Sequence, residues 1–194
     1  VEPKKFNELL DRGSVHQGAA LEVKPLKWGS ISDICKHRDE NSVVLLLDRV
    51  SDPHNVGAIL RSAEVFGAQA VIGTQRHSAP ETGALAKSAS GTLERQPYLR
   101  ISNLSKSIEE LKSLGFVILG LDGLAEKTIN EGINSFPIGP IAFVLGAEGP
   151  GMRDKTKLFC DMLVKVPSFH GEGSLNVSNA AIVALYDIRH GNRI

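Results

Sequence analysis

The sequence predicts an α/β fold, a mostly parallel sheet with helices on both faces, on three observations. From residue 42 onward, short apolar runs alternate with segments of helical periodicity, the pattern of βαβ crossovers. The runs Val43–Leu47 and Ile141–Leu145 are apolar throughout, as strands covered on both faces are, instead of alternating as half-exposed strands do. At 194 residues, with 42% hydrophobic and 23% charged residues, the chain supports one main core and a small appendage and is too apolar for disorder.

The elements follow in order. Residues 1–40 read as something separate: a short helical piece over Phe6–Leu10, then His16-Gln17-Gly18, then an alternating segment from Ala20 to Leu26 with Lys24 and Lys27. Val43–Asp48 is a buried strand ending in an acid. Asp52 and Pro53 make an N-cap and first-turn pair; Val56, Ile59, Leu60, Ala63 and Phe66 recur at helical spacing, and Gly67 stops the helix. A second strand covers Gln69–Gly73, followed by a Gly/Ser/Ala-rich stretch from Thr82 to Thr92 and an extended piece near Tyr98–Ile101. Leu104, Ile108, Leu111 and Leu114 mark a helix, with Ser107 and Glu110 at capping-box spacing near its start and Gly115 at its end. Phe116–Leu121 and Ile141–Leu145, the latter after the breaker Gly139-Pro140, are two further strands. Met162–Val166 is another, and Val177, Ala181, Ala184, Leu185 and Ile188 form the buried face of a last helix closed by Gly191.

Charge and cysteine content narrow the function. Lys plus Arg and Asp plus Glu are 22 each, so no global field draws in a polyanion. The charge is sorted, however. Arg76, Lys87, Arg95, Arg100 and Lys106 face only Glu81 and Glu94 over residues 76–106, which reads either as a solvated face or as a nucleic-acid footprint. The two cysteines, Cys35 and Cys160, lack CxxC spacing and read as buried thiols, against a disulfide scaffold or structural zinc. No apolar run approaches the ~18 residues of a membrane span and no signal peptide opens the chain, so a cytoplasmic protein is expected, with no membrane partner.

Ligands of open parallel sheets bind beyond the carboxyl ends of the strands, which points to the loops after Asp48, Leu121, Leu145 and Val166. Gly146-Ala147-Glu148-Gly149-Pro150-Gly151 is a glycine-dense turn carrying one acid, a tight turn or a ligand cradle. It is not a phosphate loop: GxxxxGK[ST] is missing and no GxGxxG follows the first strand, which weighs against ATP hydrolysis and against a dinucleotide-dependent oxidoreductase. Ser174 and Asn176 fall at a helix start, where N-capping alone explains either, though Asn176 and Asn179 together exceed one cap. Asn55 and Arg61 lie six positions apart on the first helix. His54 and His170 lack a GxSxG elbow for a hydrolytic triad, and with Glu148 they form no recognised ligand cluster, so no metal is expected.

Three segments taken together resemble a known family. Asp52-Pro53-His54-Asn55-Val56-Gly57-Ala58-Ile59-Leu60-Arg61-Ser62-Ala63, then Leu145-Gly146-Ala147-Glu148-Gly149-Pro150-Gly151-Met152, then Ser174-Leu175-Asn176-Val177-Ser178-Asn179-Ala180 are similar, in order and spacing, to the three motifs of the SpoU/TrmH-type RNA 2'-O-ribose methyltransferases of the SPOUT superfamily. The resemblance covers residues 42–190. It implies a C-terminal deep trefoil knot, S-adenosyl-L-methionine bound bent within it, and a homodimer. It implies cofactor contacts at Gly146, Val166, Leu175, Leu121 and Gly151, and a catalytic group of Arg61, Asn55, Glu148, Ser174 and Asn176. Arg61 is expected to stabilise the ribose alkoxide or bind the adjacent phosphate, with general-base action second because a guanidinium hardly deprotonates. His16-Gln17-Gly18-Ala19-Ala20 resembles the end of the small RNA-binding domain preceding the catalytic domain in the ribosomal-RNA branch. Residues 1–40 are accordingly expected to be its remnant or linker and 41–194 the catalytic domain. The chain starts at Val1 without Met, which suggests a piece of a longer protein or removal of the initiator. The substrate implied is a guanosine of 23S ribosomal RNA, with transfer RNA or a non-catalytic RNA-binding paralogue as alternatives.

Overall fold

The computed structural model describes residues 20–24, 26–169 and 173–191. The expected helical piece at Phe6–Leu10, the His16-Gln17-Gly18 segment and His170 lie outside them. In chain order the elements are α1 (Ile31–Ile34), β1 (Val43–Asp48), α2 (Pro53–Val65), β2 (Ala70–Thr74), α3 (Gly83–Ala89), β3 (Tyr98–Ile101), α4 (Leu104–Ser113), β4 (Val117–Leu121), β5 (Lys127–Thr128), α5 (Ile129–Ile133), β6 (Ile141–Gly146), α6 (Asp154–Lys157), β7 (Met162–Lys165) and α7 (Val177–His190).

The seven strands form one sheet in the order β3-β2-β1-β6-β4-β7-β5, and every pairing is parallel. Along β1 the side chains alternate between two cores: Val43, Leu45 and Leu47 join α2, α3, α5 and α7, whereas Val44 and Leu46 join α1 and α4. An apolar run without alternation is thus the signature of a strand covered twice. The knot implied by the resemblance is compatible with this order, since β6 lies between β1 and β4 and β7 returns beyond β4.

Local chemistry explains the helix boundaries. The Asp52 side chain accepts from His54 N at 3.0 Å with Pro53 in the first turn, as expected. At the other end of α2, Arg189 on α7 donates from Nε to Phe66 O (2.7 Å) and from its terminal nitrogens to Gly67 O (2.9 Å) and Asn41 O (2.6 Å), placing a cation at the negative end of the helix.

Several expectations are corrected. The helix opening near Leu104 is capped by Asn103, which accepts from Lys106 N; Ser107 lies inside the helix, bonded to Asn103 O, so Ser107 and Glu110 form no capping box. The Thr82–Thr92 stretch contains α3, capped by Thr82, because its small residues let it lie close on α2: a Cβ on Gly57 would meet Ser88 side-chain atoms at 2.5–2.6 Å. In the alternating segment from Ala20 to Leu26, Leu21, Val23 and Leu26 are exposed, with no strand among the described residues there. The short elements α1, β5, α5 and α6 had too few residues to show a period. Ile31 and Cys35 pack into the core with Val44, Leu46, Leu104 and Ile108.

Candidate active site

The carboxyl ends of β1 and β6 lie side by side, with Asp48 paired to Gly146. From this level two segments rise: the turn leading into α2, and the glycine-dense hairpin after β6. The hairpin is closed by Gly151 N donating to Ala147 O at 2.9 Å, with Gly149 and Gly151 at φ of 78° and 65°. Gly146 admits no side chain, because an added Cβ would stand 2.2 Å from Met152 N. Glycine is therefore required here by a close approach of backbone to backbone.

Glu148, at the tip of that hairpin, meets residues from the two long helices. Asn55 Nδ2 donates to Glu148 Oε1 at 3.1 Å, Asn176 Nδ2 donates to Asn55 Oδ1 at 3.0 Å, and Asn176 Nδ2 also donates to Glu148 Oε1. Asn176 caps α7 as well: its Oδ1 accepts from Ser178 N (2.8 Å) and Ser178 Oγ (2.6 Å). One asparagine thus joins its own helix to α2 and to the hairpin, across 121 and 28 residues. The N-terminal ends of two helices of 13 and 14 residues converge on one carboxylate, where their partial positive charge favours an anion.

The other expected residues are placed unequally. The Arg61 side chain is exposed and makes no hydrogen bond or ion pair among the described residues. Six residues along α2 separate it from Asn55, about 9 Å of rise and a third of a turn around, so Asn55 faces inward and Arg61 outward. Ser174 is exposed and outside the hydrogen-bonded group. His54 is exposed, and among the described residues no group of three or more His, Cys, Asp or Glu could hold a metal.

Two residues escaped the sequence reading. Asp48 is fully buried; its Oδ2 accepts from Arg153 N at 2.9 Å and its Oδ1 from Arg153 Nε at 2.8 Å, so the far end of the hairpin is pinned onto β1. An acid ending an otherwise apolar strand was the available signal, but its partner lies 105 residues away. Arg49, next in sequence, holds φ of 64°, a left-handed conformation uncommon for a non-glycine residue, as the chain turns toward the Asp52 cap.

The positions expected to hold the cofactor gather at neighbouring strand ends, because β6, β4 and β7 are adjacent: Gly146 ends β6, Leu121 ends β4 and Val166 follows β7. A Cβ on Gly149 or Gly151 would meet nothing within 4 Å, so this backbone is open to a ligand, and Leu124 and Leu175 are exposed. Open main chain beside uncovered apolar side chains fits an adenosine carried without a phosphate loop. Asp122, after β4, is raised by burial, but hydrogen bonds from Lys157 and from Leu124 N outweigh this and hold it below the usual carboxylate range. Burial pushes Cys35 up to about 11 and Cys160 up to about 12, so neither is a ready nucleophile.

Comparison with known proteins agrees with this geometry. The model of the SpoU rRNA Methylase family matches residues 42–186. The chain is 39% identical over 176 residues to the 23S rRNA (guanosine-2'-O-)-methyltransferase RlmB of Pseudomonas putida, covering 89% of this chain and 70% of that protein. It is 32% identical to the putative TrmH family tRNA/rRNA methyltransferase YacO of Bacillus subtilis, covering 97% and 75%. Among solved structures, the SpoU methyltransferase AviRb of Streptomyces viridochromogenes in complex with AdoMet superposes with a TM-score of 0.67 at 27% identity, over 76% of this chain and 57% of that one. With three motifs converging on one hydrogen-bonded group and matches over most of its length, the chain belongs to the SpoU rRNA methylase family.

Proposed function

We propose that this chain transfers the methyl group of S-adenosyl-L-methionine to the 2'-hydroxyl of a guanosine ribose in 23S ribosomal RNA. The observation that carries the reading is the Asn55–Glu148–Asn176 group, which fixes both helix N-termini at the carboxyl edge of the sheet. The bound cofactor supplies an electrophilic methyl group on a sulfonium. Gly146, Leu121, Gly151, Val166 and Leu175 offer it backbone groups and apolar surface. A ribose hydroxyl is a weak acid, so the chain must stabilise the oxygen as its proton leaves and hold it in line. Arg61 is assigned that role or contact with the adjacent phosphate, Asn55, Glu148 and Asn176 hold the site's shape, and Ser174 lies at its rim.

The reading includes a homodimer. Val65, one turn beyond Arg61 on α2, is exposed, as are Ile182 and Tyr186 on α7, which packs against α2 through the edge-to-face contact of Tyr186 with Phe66. A second copy covering this apolar strip would also enclose Arg61 in a drier site, where a guanidinium acts more strongly on a developing anion. It also takes residues 41–194 as the catalytic domain, with residues 1–40 leading from an RNA-binding unit, and a cytoplasmic setting where ribosomal RNA is found. Among the described residues no helix is long and apolar enough to cross a membrane.

Single-turnover methyl transfer tests the assignment. Arg61→Ala is expected to lower the rate on 23S RNA by about 100-fold or more while calorimetric affinity for S-adenosyl-L-methionine stays near wild type. Unchanged turnover overturns the role of Arg61, and a transcript set in which only transfer RNA is methylated overturns the substrate.

A further inference from the structure

Away from the site, a groove of about 740 Å³ runs along the outer strand β3, walled by Lys27, Trp28, Arg100, Ser102, Asn103 and Lys106. Its chemistry suits a polyanion. The side chains of Lys27 and Lys106 enter no hydrogen bond or ion pair among the described residues. Arg100 donates to the neutral carbonyls of Ala79 (3.1 Å) and Gln75 and to no carboxylate among the described residues. Two acids also line the groove: Glu81, and Glu110, which already accepts from Ser32 Oγ at 2.7 Å. Trp28 is half-buried, and its indole N–H is buried without an acceptor. Cations, hydroxyl and amide groups and an aromatic ring form the donor set by which proteins hold single-stranded RNA.

Position strengthens the case. Leu47 pairs with Gly73 and Thr74 with Ile101, so Asp48, Thr74 and Ile101 stand level at the carboxyl edge. Two strand spacings of ~4.8 Å put the head of the groove about 10 Å from the end of β1. The ends of β6, β4 and β7, where the cofactor is proposed to lie, are three to five spacings away, ~14–24 Å, or about four to seven nucleotides at ~3.4 Å per stacked nucleotide. The loop carrying Arg76 and His77, both exposed, lies between.

We propose that this groove is a second RNA subsite, holding the substrate strand about four to seven nucleotides from the methylated ribose through phosphate contacts of Lys27 and Lys106. The proposal rests on the methyltransferase reading above and adds to it where the strand leaves the site. The test measures binding of a fluorescent tetranucleotide and a dodecanucleotide RNA across a salt series. Wild type is compared with Lys27→Glu/Lys106→Glu and with the milder Lys27→Ala/Lys106→Ala pair, each checked by melting temperature and by calorimetry with S-adenosyl-L-methionine. Wild type is expected to gain affinity with length. Both variants are expected to lose about tenfold on the dodecanucleotide, with a salt slope flatter by about 1.4, two contacts at ~0.7 each, and with tetranucleotide and cofactor binding intact. Unchanged dodecanucleotide affinity and slope overturn the subsite and leave the groove to a protein segment; an equal loss for both lengths overturns its distance from the site. A wild-type chain that binds no cofactor overturns the methyltransferase reading instead, so the two failures are told apart.

Discussion

The two halves of the sheet are built differently. From β1 to β3, order along the chain is order across the sheet, and each strand pairs with its predecessor. Beyond β1 on the other side the order is β6-β4-β7-β5, so each pairing there joins strands that are not consecutive. The ordered half binds nothing of the central site except through the loop and helix that follow β1. The interleaved half brings residues 55, 148 and 176 together, and supplies the strand ends where the cofactor is proposed to lie. Chemistry gathers where the chain is threaded out of order, because only there do distant segments share one edge.

Substitutions can break this contrast. The largest effect is expected in the interleaved half from Gly146→Ala, since the new methyl would collide with backbone and not with a side chain that can turn away. A loss of about 4 kcal/mol or more in chemical denaturation is expected, together with loss of cofactor binding; a mutant within about 1 kcal/mol of wild type would show that the hairpin can move. In the ordered half, Ile72→Ala empties a fully buried position on β2 and should cost about 3 kcal/mol by the same measurement. Below the melting transition its cofactor affinity and single-turnover rate should match wild type, and a tenfold change in either would mean the halves are coupled. The smallest effect is expected at the seam, from Asp48→Asn. The amide turns a donor toward Arg153, whose side chain is 41% exposed and can rehydrate, which limits the cost to about 2 kcal/mol. Melting should fall by about 4–8 °C, with weaker cofactor binding as the hairpin loosens; lowered melting with unaltered affinity would make Asp48 a purely structural residue.

The same contrast explains what could be read early. β1, α2, β2, β3 and the core face of α7 were legible because each carries its own period and punctuation: Asp52-Pro53 to start, Gly67 and Gly191 to stop. The capping of α4 was misread because Ser107 and Glu110 have capping-box spacing, although Asn103 stands directly before the first periodic residue, where an N-cap belongs. The α3 helix was hidden by small residues whose purpose is close contact with α2. Asn55, Glu148 and Asn176 were legible as motif positions. That Arg61 stands exposed and apart from them went unread, although six positions on one helix already put it a third of a turn from Asn55.

The sequence by itself determined that the sheet is parallel and covered twice, and which loops hold polar groups beyond the strand ends, because burial on two faces leaves no alternation and glycine marks close backbone approach. Tertiary structure decided that β6 and not β4 lies beside β1, that Asp48 finds Arg153, and that one asparagine ties two helix ends to one carboxylate. Those contacts join segments 28 to 121 residues apart, which no local pattern encodes because they arise only when the sheet is assembled.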